Sequence, residues 1–323
     1  MKILVLCPGS FTNGLDSAER GESRWAQQYA KMLAMAGHDV YAASMGLHTG
    51  GIHSTHYGVK LTHELDCHKF GPYDLYIDSS WWNNKQPYAI AKKYICLKWS
   101  LEDYTREFNF PDNFFLAYPY PSHMHEFYLP EAKGRNRTFA LPTMFGTEFP
   151  EPNWSKEKVF LPGKIDTNRP YQKYMPAIID FLNKHPLDGC SATFFQEAFK
   201  DKIQFKQGSC LYELRPYNEV FQSMKECKLS LPILNPGCII EAAFASTPSI
   251  FWECGGFYNP LAKNMGVLIP ENAEPEQFID ITNEMMNNRK RHWEITRVTQ
   301  DYFSHHLYDI AIQYFNMMIE TIL

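Results

Sequence analysis

The chain of 323 residues is bounded first by what it lacks. No uninterrupted apolar run approaches 18 residues, so nothing in it reads as a membrane-spanning helix. The first apolar run stops at Pro8 after five residues, too short for the hydrophobic region of a secretory signal. None of the eight cysteines forms a CxxC pair, and several sit in apolar runs, as Cys7 does in Ile3-Leu4-Val5-Leu6-Cys7. That usage fits reduced, buried thiols and predicts a cytoplasmic protein. Charge of one sign is also scarce. Residues 1–155 carry 14 Lys/Arg against 16 Asp/Glu, and the remainder 17 against 20. Neither half offers the strongly basic face of a nucleic-acid or anionic-membrane binder.

Several chemistry-bearing motifs are missing as well. Gly9, Gly14 and Gly21 do not follow the GxGxxG dinucleotide spacing, and no phosphate-cradling Gly-Lys-Ser/Thr occurs. No Gly-x-Ser-x-Gly elbow supports a hydrolase. His48, His53, His56, His63, Cys67 and His68 crowd one segment, yet none of the paired spacings of a zinc site is present. With Gly46, Gly50 and Gly51 nearby, this segment reads as an exposed loop, and no metal is expected.

What is present is an alternating α/β pattern. The run at 2–7 suits a buried parallel strand, and 8–22 is a loop holding three glycines. A helix runs from about Ser23 with Trp25, Tyr29, Met32, Leu33 and Ala36 on one stripe, and Gly37 caps it before a strand at 39–44. Strands follow at 73–78, 94–98 and 114–118, with a helix expected over 87–94 between the first two. Residues 140–157, rich in Pro, Gly, Asn and Glu, read as an interdomain linker. A second series opens with a strand at 158–161, helices at 174–184 and 217–227, and a short strand at 203–205, and the run 228–232 leads into the stretch at 237–248. The last seventeen residues place Leu307, Ile310, Ala311, Tyr314, Phe315, Met318 and Ile322 on one face of an amphipathic helix.

The most informative stretch is 237–248. It reads as a tight glycine turn, a short helix with Glu241 in its first turn, and then a strand at 249–252. A helix N-terminus offers open backbone N–H groups, here of Cys238 and Ile239, and a partial positive charge suited to phosphate. A carboxylate one turn in is placed to accept hydrogen bonds from a ribose diol. Together these features suggest a sugar-nucleotide site; the bland alternative is an ordinary connection with a surface glutamate.

In this order the segments resemble the GT-B glycosyltransferases, specifically the family-4-like group of nucleotide-sugar-dependent enzymes. The likeness runs nearly end to end. Gly21 to His38 looks like that family's N-terminal segment, and Phe145 to Pro150 like the link that ends its first domain. Gly163 to Pro170 matches the spacing of its Gly-Arg-Leu-x-x-x-Lys-Gly segment, with the two basic residues exchanged in type. Glu241 to Pro248 matches Glu-Ala-Met-Ala-x-Gly-x-Pro, with Ser246 standing for the glycine. Gly255-Gly256 and Gly266 to Pro270 resemble its Gly-Gly loop and Gly-x-Leu-Val-Pro strand.

The resemblance implies two Rossmann-like α/β domains facing a central cleft. An acceptor-side domain would span 1–155 and a nucleotide-sugar domain 156–300, with a helix over 301–323 crossing back to the first. It implies metal-independent transfer of a sugar from a nucleotide-sugar co-substrate, UDP- or GDP-linked, to a hydroxyl of a glycan or small glycoconjugate. Lys164 and Arg169 would hold the departing diphosphate as the catalytic cations, with Gly237, Cys238, Ile239, Glu241, Asn235, Gly255 and Gly256 binding the donor. Gly14 and Gly21 would let the first loop close over the cleft. The family's second carboxylate, eight residues before Glu241, is replaced by Ile233, and Asn235 is its candidate substitute. Where relatives carry a histidine, this chain has Glu102 and Asp103, which would serve as general base if the enzyme inverts. If it retains, the leaving phosphate takes the proton. Trp81 and Trp82 follow a strand at its carboxyl end, where an aromatic face stacks on a sugar ring or simply fills the core. Two rivals stay open: a GT-B enzyme glycosylating a modified DNA base, and a two-lobed binder without catalysis.

Overall fold

The computed structural model describes residues 1–7, 21–44, 47, 50–78, 90–97, 112–118, 138–152, 154–161, 175–190, 204, 206–212, 217–231, 236–252, 264–270 and 272–323. Their contacts divide the chain into two units, Met1–Thr147 with His305–Leu323, and Glu148–Ser304.

In the first unit, the run Lys2–Cys7 forms β1, buried from Ile3 onward because parallel neighbours cover both its edges. Helix α1 (Gly21–Met35) follows and buries Trp25, Ala26, Tyr29, Ala30, Met32 and Leu33. It starts two residues before the position read from the sequence. Gly37, with φ 82°, ends it: Gly37 N–H donates to Ala34 O and His38 N–H to Leu33 O, the paired bonds of a Schellman cap. Then come β2 (Asp39–Ser44), β3 (Ile52–His56), β4 (Val59–His63), β5 (Tyr73–Asp78), β6 (Ala91–Leu97), β7 (Phe114–Tyr118) and β8 (Thr138–Ala140). Their order across the sheet is β3-β4-β2-β1-β5-β6-β7-β8, parallel except between β3 and β4. The chain first winds to one side of β1 and then returns to the other side at β5. The β1/β5 boundary is therefore the switch point at which open α/β sheets bind ligands, beyond the strands' carboxyl ends.

Two sequence expectations fail in this unit. The helix over 87–94 gives way to β6 from Ala91, whose Tyr94-Ile95-Cys96-Leu97 are buried between β5 and β7. The histidine-rich segment is not an exposed loop. It forms the β3/β4 hairpin, closed by Tyr57 and Gly58 at φ 53° and 78°, the pair of positive angles that suits a twisted hairpin. A 3₁₀ turn, Glu64–Phe70, follows, and His63 caps it by accepting from Leu65 N–H at 3.0 Å. Among the described residues no group of three or more His, Cys, Asp or Glu is arranged to hold a metal.

The second unit carries β9 (Lys158–Leu161), β10 (Leu187–Cys190), β11 (Cys210–Tyr212), β12 (Cys227–Ser230), β13 (Ile250–Trp252) and β14 (Val267–Ile269). Two parallel sheets, β11-β10-β9-β12 and β13-β14, are linked by a Ser230–Ser249 bridge and by Ser230 N–H donating to Pro248 O at 2.9 Å. The continuous order β11-β10-β9-β12-β13-β14 reverses between β9 and β12, the Rossmann arrangement. Helices cover both faces. On one, α2 (Met175–Lys184) and α5 (Pro275–Asn287) bring Ile178, Phe181 and Phe278 onto Val159, Leu229 and Ile250. On the other, α3 (Tyr217–Lys225) and α4 (Pro236–Phe244) bring Val220, Met224 and Ala242 onto Phe160 and Cys227. Helix α6 (Arg289–Tyr302) follows α5, and Asn288 caps it by accepting from Arg291 N–H at 3.1 Å.

The last helix, α7 (Tyr308–Ile322), buries the apolar stripe read from the sequence, and its contacts place it with the first unit. Ala311, Phe315, Met318 and Ile322 are buried, Phe315 lies 5.5 Å from the His38 ring, and Tyr308 N–H donates to Gly146 O. Among the described residues no helix is long and apolar enough to cross a membrane.

Candidate functional site

At the switch point of the second unit, β9 and β12 end side by side, joined by Leu231 N–H donating to Phe160 O at 2.9 Å. The chain leaves β9 into 162–174 and leaves β12 toward α4. This short helix is apolar almost all round, and Cys238, Ile239, Ile240, Ala242, Ala243 and Phe244 are buried. It starts at Pro236, whose fixed φ and missing N–H suit the first helical position. Gly237 is thus inside the first turn rather than in a turn before it. The open donors of such a helix are the N–H groups of Gly237 and Cys238, while Ile239 already falls within the i→i−4 pattern.

Glu241 departs from the sequence reading in its position: it stands in the second turn of α4, which has no acidic residue in its first. It is only 3% exposed, which goes against the bland alternative of a surface glutamate. A carboxylate is retained at such burial only where its charge is compensated, because desolvating it alone costs several kcal/mol.

The far end of α4 is locked with unusual care. Thr247 N–H donates to Ala242 O and Ser246 N–H to Ala243 O, again a Schellman cap, which puts Ser246 at φ 53°. This left-handed position explains why the resembled family has glycine here. In this chain the serine hydroxyl donates to Pro150 O, and Gln300 Nε2 donates to the same hydroxyl at 2.9 Å and to Pro150 O at 3.1 Å. Thr247 Oγ1 donates to Met224 O at 2.8 Å. The hydrogen bonds fix the helix axis, and with it the aim of the N-terminus.

In the first unit, β1, β5 and β6 lie adjacent and end at Cys7, Asp78 and Leu97. The segments that start from those ends carry Gly14, Trp81 with Trp82, and Glu102 with Asp103 respectively. Gly21 is the first residue of α1. The strand order therefore gathers the starts of three candidate segments at one edge. Gly14, Trp81, Trp82, Glu102, Asp103, Lys164, Arg169, Asn235, Gly255 and Gly256 themselves lie outside the described residues, as does most of the strand expected at 203–205. Asp78 escaped the sequence reading. It is buried at the carboxyl end of β5, and its only signal is a carboxylate closing an apolar strand.

Neither a protein-family model nor a curated protein matches this sequence. Solved structures do. WaaG, a glycosyltransferase involved in lipopolysaccharide biosynthesis, aligns with a TM-score of 0.62 at 15% identity, over 98% of this chain and 99% of its own. Anabaena HepE, solved with UDP-glucose, aligns at 0.59 and 11% identity over 99% of each chain. An α-glucosyltransferase solved with UDP-glucose and DNA containing an abasic site aligns at 0.59 and 12% identity, also over 99% of each. Rossmann-type strand orders in both units, a last helix returned to the first unit, and near-complete coverage of these enzymes give this chain the GT-B glycosyltransferase fold.

Proposed function

We propose that the protein transfers a sugar from a UDP- or GDP-sugar to a hydroxyl of a glycan or small glycoconjugate, without a metal ion. The observation that carries this reading is the N-terminus of α4 at the switch point of the second unit, with Glu241 buried one turn behind it. Expulsion of a nucleoside diphosphate builds negative charge on its phosphate oxygens. The N–H groups of Gly237 and Cys238 and the positive end of α4 answer that charge. Lys164 and Arg169, on the segment that leaves β9, add charge-assisted bonds worth roughly 1.5–3 kcal/mol each. Two cations and a helix terminus supply the neutralisation that a metal provides elsewhere. Glu241 takes the ribose diol. UDP-glucose in HepE and in the α-glucosyltransferase supports a uridine nucleotide as the first donor to try.

The test is a thermal-shift screen against UDP-, GDP-, ADP- and TDP-sugars. A ligand at 100 times its Kd stabilises its protein by about 2.7 kcal/mol. Lys164→Ala lowers transfer at least about 10²-fold with the fold intact, as loss of a donor aimed at developing charge does. Wild-type turnover in that variant removes the site assignment, and saturable binding without released diphosphate identifies a binder instead. A DNA-base acceptor is the second reading, favoured by the α-glucosyltransferase solved with DNA. The near-balanced charge of both halves opposes it, and salt-dependent retention of the protein on duplex DNA decides it.

A further inference from the structure

Four tyrosines, Tyr41, Tyr73, Tyr76 and Tyr94, belong to one buried cluster on the first sheet. Three of their hydroxyls have partners. Tyr41 accepts from Lys60 Nζ at 3.3 Å, Tyr73 donates to Cys67 O at 2.7 Å, and Tyr94 accepts from Ile90 and Ala91 N–H at 3.1 and 3.2 Å. The fourth, Tyr76, is 3% exposed and its hydroxyl has no partner among the described residues. Buried hydroxyls are almost always satisfied, so an orphan of this kind asks for a missing partner.

The register of β5 puts a carboxylate on the same face as Tyr76. Tyr76 pairs with Leu4 and Tyr94, and Asp78, on the same face two residues on, pairs with Leu6 and Cys96. Asp78 ends the strand at the switch point. Burial, and next the negative charge of Asp78, hold the Tyr76 phenol well above its ordinary range, so it is a donor at every working pH. Asp78 is an acceptor. A neutral hydroxyl both donates and accepts, which matches the pair; an anion would be repelled by Asp78, and a cation would meet the phenolic proton.

We infer that Asp78 and Tyr76 together bind a hydroxyl of the sugar acceptor, Asp78 accepting from it and Tyr76 donating to it. The inference rests on the glycosyltransferase reading for the word acceptor, but it assigns the recognition to two residues that no sequence motif marks.

Thermal midpoints of the full chain, Tyr76→Phe and Asp78→Asn test it. The probes are methyl glycosides of glucose, galactose and mannose, with UDP-glucose in a parallel arm. Without ligand, Tyr76→Phe is expected to melt at or above the wild type, because an unsatisfied hydroxyl has been removed. Its apparent Kd for the best glycoside rises about 2–10-fold, and that of Asp78→Asn at least about 10-fold, the range of a neutral and a charged hydrogen bond. The UDP-glucose shift is retained in both. A lowered midpoint in Tyr76→Phe assigns its hydroxyl a structural role and overturns the inference, as does a wild type that no glycoside stabilises. Should UDP-glucose fail on the wild type while an Asp78-dependent glycoside shift persists, the donor reading falls and the hydroxyl site stands.

Discussion

Ser246 shows how one departure from a family pattern is absorbed. A side chain in the left-handed region costs about 1 kcal/mol relative to glycine, and here the serine hydroxyl offsets that cost by bridging Pro150 O and Gln300. Ser246→Ala keeps the strain and loses the bridge, so it lowers unfolding stability by roughly 1–3 kcal/mol; Ser246→Gly loses the bridge but relieves the strain and falls in between. Urea denaturation ranks the three, and an alanine variant as stable as the glycine one contradicts the account. A second residue carries a pH signature. His306 is fully buried, its Nδ1–H donates to Thr143 O at 2.8 Å, and burial holds its pKa well below the ordinary 6.5. The folded state thus leaves it neutral while the unfolded state takes up a proton below about pH 6.5. Stability from this group is complete above that pH and declines as pH falls, by up to about 1.4 kcal/mol per pH unit. His306→Gln is expected to flatten the slope between pH 6.5 and 5, as read from urea midpoints at each pH.

At the scale of elements, what was legible in the chain follows from how local its causes are. The strands at Lys2–Cys7, Asp39–Ser44, Tyr73–Asp78 and Lys158–Leu161 declare themselves as short apolar runs between breakers, and α7 declares itself as a stripe. Strand β10, Leu-Asp-Gly-Cys, does not: its neighbours β9 and β11 make it a strand, with Asp188 salt-bridged to Lys158 at 3.3 Å. Of the candidate site, the helix at α4 was readable and the burial of Glu241 was not, because glutamate is exposed by default and only the packing around it says otherwise. Gly266 is a case where the residue type was visible and its reason was not. At φ 149° it delivers Val267 N–H to Ser249 O at 2.8 Å, and a Cβ there would meet that same carbonyl oxygen at 2.5 Å. Gly266→Ala therefore disturbs the pairing of β13 with β14, on top of about 1–3 kcal/mol of backbone strain. Hydrogen exchange should accelerate at Val267–Ile269 in this variant; unchanged protection there would show that β14 does not depend on the glycine.

At the scale of the whole molecule, the chain's end is part of its beginning. Helix α7 starts 161 residues after Thr147, yet it packs with α1 in the first unit and, among the described residues, shares none of the core around α5. Four buried side chains, Ala311, Phe315, Met318 and Ile322, make that attachment. Removing a phenylalanine from such a position costs about 3–5 kcal/mol, a large share of the roughly 5–15 kcal/mol that holds a domain together. Phe315→Ala is therefore expected to raise amide exchange throughout α1 and β1 and to leave α5 and α6 protected. The UDP-sugar shift should survive the same substitution, because the proposed donor site is built on α4, the ends of β9 and β12 and the segment carrying Lys164 and Arg169, all in the second unit. If α5 and α6 lost protection together with α1, the two units would be one cooperative body, and a donor site independent of the acceptor side would no longer be a sound premise.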